Sequence, residues 1–121
     1  MTWLAVLLAC GVPVEIPDAA GPASSDPIVA QMRAHPIEIT HHGECRMACR
    51  QISRDEVRAI LMKDGVLDPA RTRNDGECPS HALEGRTADG QDVRIVFAAC
   101  RDETRLVTAI DLGREWPCDC D

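Results

Sequence analysis

A chain of 121 residues in which 13 Lys and Arg face 20 Asp and Glu carries a formal charge of −7, and this argues against a broad basic surface for nucleic acid. One Phe, no Tyr and two Trp exclude an aromatic-rich core, leaving Val, Ile, Leu and Cys to fill the interior. The seven cysteines divide into Cys10, near the start, and Cys45, Cys49, Cys78, Cys100, Cys118 and Cys120 in the later part of the chain.

Cys10 closes the apolar run Leu4-Ala5-Val6-Leu7-Leu8-Ala9. The order Leu7-Leu8-Ala9-Cys10 resembles a bacterial lipobox, where the chain is cut before the cysteine and the thiol receives diacylglycerol. Residues 1–10 therefore read as a short lipoprotein-like signal with Cys10 as the attachment site. Secretory signals run about 15–30 residues and begin with basic side chains, whereas here only the amino terminus is positive before Trp3. Either the natural start lies upstream or the segment does not work as a signal. A transmembrane helix needs about 20 apolar residues, and Pro13, Glu15, Pro17 and Asp18 end this run too early. Residues 11–27, with Pro13, Pro17, Pro22 and Pro27 among Gly, Ala, Ser and Asp, read as a flexible linker. The expected address is the periplasmic side of the cell envelope, with the membrane as partner through the lipid anchor.

Residues 28–121 read as a single α+β domain. Asp26 before Pro27 starts a short helix to about Arg33. Ile37 and Ile39 alternate with Glu38 and Thr40 as a short strand. Thr40 caps a helix from about His41 to Arg50. Ser53-Arg54-Asp55-Glu56 is a capping box that opens a second helix, whose Val57, Ile60 and Leu61 share a face and which stops at Gly65. The polar stretch from Asp68 to Glu77 reads as a loop. Beyond it the period changes to two. Ala82 to Thr87, a tight turn at Asp89-Gly90, and Val93, Ile95 and Phe97 make a hairpin, and after a turn at 101–104 a strand follows from Leu106 to Leu112. The expected fold is a strand, two helices and a three- to four-stranded antiparallel meander, stapled by cysteines.

On a helix Cys45 and Cys49 are four apart and share a face with Ile52, which points both thiols toward the core side. Cys118 and Cys120 share a face of an extended tail. Two thiols on a helix can meet two on a tail, either as two parallel disulfides or as one four-thiolate zinc site. Cys78 and Cys100 then form a separate pair. Export favours disulfides and no cofactor; zinc is the alternative. His41 and His42 stand at a helix start beside Cys45, where copper or zinc could bind, but such histidines are ordinarily solvated, and His35 and His81 are isolated.

A catalytic pattern is also present. His42, Arg46 and Arg50 are spaced by four along one helical face, Arg94 projects opposite Val93, Ile95 and Phe97, and Glu84 offers a base. A His for proton transfer with several Arg to neutralise phosphate is what ribonucleolytic cleavage requires. The same residues read more simply as a solvated polar face held by Arg to Glu pairs.

His42, Arg46, Met47, Arg50 and Ile52, followed by Glu56-Val57 and Gly65, resemble the opening of the bacterial domain-of-unknown-function family 4258. Leu83-Glu84-Gly85, Gln91 to Phe97 and Leu106 to Leu112 are similar to its three-strand meander, so the resemblance covers about Ile37 to Leu112. The six later cysteines resemble an exported, membrane-anchored branch. The resemblance implies a small RelE- or barnase-like fold; fold likeness alone assigns no chemistry.

Together these features indicate an exported, lipid-anchored, disulfide-stabilised binding or envelope-associated module rather than an enzyme. Its partner would be a protein or small molecule, not nucleic acid. A metal-binding protein using Cys45, Cys49, Cys118 and Cys120, and a ribonuclease-like enzyme using His42 and Arg46, are the alternatives.

Overall fold

The computed structural model describes residues 26–120; Cys10, the leader and the linker up to residue 25 lie outside them. Each helix begins where a short polar side chain satisfies backbone N–H groups that have no partner in the first turn. Asp26 Oδ1 accepts from the Ile28 amide (2.9 Å) to start α1 (Pro27–Arg33). After β1 (Ile37–Ile39) the Thr40 hydroxyl accepts from the Gly43 amide (2.8 Å), opening α2 (His41–Arg50). The same hydroxyl donates to the Leu106 carbonyl (3.0 Å), which ties the helix start to the sheet. The capping box forms in both directions between Ser53 and Glu56 and opens α3 (Arg54–Ala59).

The second predicted helix does not stay regular to its end. After Ala59 it widens into a π-helical turn, Ile60–Asp64, before Gly65. Gly65 has an ordinary extended backbone (φ −85°, ψ 145°), so a left-handed cap does not explain it. A Cβ there would lie 2.5 Å from the Ile60 carbonyl oxygen; close approach is what demands glycine. Gly43 serves similarly, since a Cβ on it would meet Leu106 Cδ2 at 2.5 Å and the Leu106 carbonyl at 2.8 Å. Its bareness lets α2 lie directly on the last strand.

Four strands, β2 (Val66–Arg73), β3 (Ser80–Arg86), β4 (Asp92–Ala99) and β5 (Thr104–Asp111), form an antiparallel meander. β1 adds to β5 in parallel, giving the order β1-β5-β4-β3-β2. The α+β class and the meander are as expected, and the parallel edge makes the sheet mixed. Between β3 and β4, Gly90 takes the positive φ (95°) of the tight turn. The expected loop over 68–77 is partly a strand. β2 pairs with β3 through Val66, Leu67 and Asp68 and again at Arg73, with an irregularity between. Its polar composition hid it because an edge strand draws its order from backbone bonds to its neighbour, and Pro69 is tolerated there.

The core lies on one face of the sheet. Leu83, Val93, Ile95, Phe97, Leu106 and Ala109 point toward Val29 and Met32 of α1, Met47 of α2, Val57 of α3, and Ile60 and Leu61 of the π turn. Phe97, wholly buried, is the largest of them. Thr104, also buried, donates to the Met32 carbonyl (2.6 Å). The intervening residues of the same strands face away from the helices, and there the cleft described below is found.

Candidate functional site

The six described cysteines form three disulfides: Cys45 with Cys120, Cys49 with Cys118, and Cys78 with Cys100. Cys45 and Cys49 do not point into the core as the helical spacing implied. Gly43 and Met47 occupy that face, while the two cysteines are half-buried toward the tail. The tail beyond β5 is irregular rather than an extended strand. It is held at its start by Asp111, which accepts from Trp116 Nε1 (2.9 Å) and Gln91 Nε2 (3.1 Å). The indole N–H lowers the Asp111 pKa most, partial burial opposes, and Gln91 adds to the lowering. Arg114 stacks over the Trp116 ring at 3.8 Å.

With all four sulfurs in disulfides, the four-thiolate zinc arrangement is replaced by the bridged one, because zinc takes thiolates. Among the described residues no group of three or more His, Cys, Asp or Glu is arranged to hold a metal ion. His41 is exposed and His42 half-buried. His35 and His81 sit apart, each with one ring nitrogen buried and without a bond among the described residues.

The catalytic pattern is not assembled. On α2, Arg46 Nε donates to His42 Nε2 (3.2 Å), and Arg50 Nη1 donates to the Ala109 carbonyl (2.6 Å). Burial, then the neighbouring Arg46, lowers the Arg50 pKa. Arg94 and Glu84 lie on the other side of the sheet, bonded to each other through Arg94 Nε and Glu84 Oε2 at 2.8 Å. The alternation that buries Val93, Ile95 and Phe97 against the helices turns Arg94 away from them. A sheet therefore stands between His42, which keeps Arg46 beside it, and the Arg94–Glu84 pair.

The face that carries Arg94 is the better candidate. A cleft of about 510 Å³ lies over it, floored by Ala82, Val96, Ala98, Val107, Thr108 and Ile110. Arg71, Arg73, Arg94 and Arg105 line its sides, with Asp75 and Glu77. Across the register Arg94 stands between Glu84 and Ile110, and Val96 between Ala82 and Thr108. A shift between Val96 and Phe97 inserts Val107 as an extra residue of β5; such a bulge re-aims side chains, and Val107 and Thr108 both line the floor. One wall is the segment 75–78, fixed by the Cys78–Cys100 bridge and by Arg105, which binds Glu103 through Nε (2.8 Å) and Glu77 through Nη1 (3.0 Å). These carboxylates raise the Arg105 pKa, Glu103 first.

Sequence reasoning found Arg94 and Glu84 but grouped them with His42, Arg46 and Arg50, which lie across the sheet from them. It missed Arg105, which the alternation along β5 could have revealed. Arg71 and Arg73 gave no signal, because their strand reads as a loop.

A helix-backed sheet with one open face, locked by disulfides, defines a small α+β domain whose cleft is of ligand size. The chain belongs to the family described as Domain of unknown function (DUF4258), which matches residues 39–111, from the end of β1 to the end of β5. No curated protein and no solved structure matches it. Cys118 and Cys120 lie beyond the matched region, so two bridges join the family's domain to a tail outside it. Three disulfides suggest an extracytoplasmic location.

Proposed function

We propose that this chain is an exported, lipid-anchored domain of the cell envelope that binds a small organic anion on the open face of its sheet. One observation carries the reading: Arg94, only 19 % exposed, bonds Glu84 through Nε and makes no bond through its two terminal nitrogens among the described residues. A guanidinium fixed at one end with its fork free is prepared for a carboxylate or phosphate. Cleft chemistry supports binding over turnover. Among the described residues no His lines the cleft and Cys78 is bridged, so no nucleophile of theirs there stands beside an imidazole base. The oxidised cysteines and the lipobox-like Leu7-Leu8-Ala9-Cys10 support export and anchoring. Among the described residues no helix is long and apolar enough to cross a membrane.

Two measurements test this. Intact mass of the protein from the membrane fraction should show diacylglycerol on Cys10 and six cysteines blocked before reduction, and Cys10→Ser should move it to the soluble fraction. A membrane-bound Cys10→Ser variant would discard the anchor, and six alkylatable thiols would discard the export. Calorimetric titration with acetate, succinate, octanoate and inorganic phosphate tests binding, and silence with all four rejects the anion site.

A further inference from the structure

Building on that anion-site reading, we infer that the ligand is an amphiphile: one carboxylate held by the free fork of Arg94, and an unbranched aliphatic body laid along β4 toward Ala98. The floor beyond Arg94 offers aliphatic surface with the Thr108 hydroxyl at its side, and among the described residues no aromatic ring lines the cleft. Among the described residues a nucleobase would find no ring to stack on, and the floor offers the hydroxyls of a sugar only Thr108, whereas a hydrocarbon chain needs only apolar area. Strands rise about 3.3 Å per residue, so the floor from Arg94 to Ala98 is about 13 Å long, the length of an extended chain of roughly ten carbons.

The far end of the cleft argues for a single charged head. Arg105 lies opposite Ala98 in the register and is already neutralised by Glu103 and Glu77. Arg73 is paired with Asp75 (2.8 Å) and Arg71 with Asp68 (3.2 Å). A second carboxylate at that end would meet Asp75 and Glu77. Arg94 differs from these three in being the least exposed. A half-buried guanidinium therefore stands at one end of an aliphatic floor, and the other charges at its sides belong to more exposed pairs.

The test is titration of the full-length oxidised chain with octanoate, acetate and 1-octanol, read by calorimetry and by amide and methyl chemical shifts. Octanoate should bind about tenfold or more tighter than acetate or octanol. Its shifts should centre on Val96, Ala98, Val107 and Thr108. Arg94→Lys keeps the charge but loses the fork and should weaken octanoate about tenfold. Val96→Asp should abolish binding, while Arg86→Ala, whose exposed partner is Asp92, should not change it. Acetate binding as tightly as octanoate would overturn the aliphatic body and leave the anion site standing. Octanol matching octanoate, or undiminished binding by Arg94→Lys, would overturn the assignment of the head group. Shifts confined to the helical side would overturn the location, and no binding by either acid would remove both readings.

Discussion

Neighbouring residues of the same strands do opposite work. On the helix side of β4, Val93, Ile95 and Phe97 are wholly buried, and they meet helices whose caps and glycines set their positions. On the other side Arg94 and Val96 stay partly exposed, and the charged groups around them form pairs such as Arg94 with Glu84 and Arg105 with Glu77. Partly exposed pairs of this kind contribute about 0–1 kcal/mol each, whereas a buried aliphatic or aromatic side chain contributes about 1.5–3 kcal/mol. Stability is concentrated on one face, which leaves the other free to vary its chemistry.

The bridges that clamp α2 onto the covered side give the largest expected effect. Cys45–Cys120 and Cys49–Cys118 span 75 and 69 residues and are nested. With one in place, the other closes only a small extra ring. Removing either pair as Ser should cost about 2–3 kcal/mol, but removing both should cost about 7 kcal/mol, more than the sum. Urea unfolding of the three variants measures this, and strict additivity would show that the bridges do not act as nested loops. Phe97→Ala should cost about 3–5 kcal/mol in the same assay. Gly43→Ala should cost about 1–3 kcal/mol by pushing α2 off Leu106.

A smaller effect comes from His81, buried on the covered face near Thr72 and Asp26. Burial lowers its pKa below the usual 6.5, and Asp26 opposes this. The unfolded chain then binds the proton more readily, so stability should fall as pH drops below about 6.5 and level off beneath the lowered folded value. His81→Gln should remove that part of the slope in unfolding midpoints compared at pH 7.5 and 5.5. Smallest of all, Val96→Thr on the open face should change stability by no more than about 0.5 kcal/mol. A loss as large as that of Phe97→Ala would erase the contrast between the faces.

The covered face was largely legible in the sequence. The caps at Asp26, Thr40 and Ser53 and the alternation of Val93, Ile95 and Phe97 are local signals, and local signals survive into the fold. What escaped depended on partners distant in the chain. β2 is a strand only because β3 lies beside it, β1 pairs in parallel with a strand about 67 residues further on, and the facing of Cys45 and Cys49 was decided by where the tail runs. For the same reason His42 and Arg94 looked like one group until the sheet was placed between them. The cleft was the least legible part, since Arg71, Arg73, Arg94 and Arg105 come from three strands.

The tail bridges also decide how the domain bears load. Cys45 is joined covalently to Cys120, so everything from the second turn of α2 through β5 lies inside a closed ring. Tension applied between Asp26 and the tail passes across the sulfurs and reaches, of the sheet, only its edge strand β1. Only the stretch from Asp26 to Cys45 can be drawn out, about 20 residues or roughly 70 Å of chain. Held by its leading end against a moving surface, the molecule would yield α1 and β1 while the open face kept its shape.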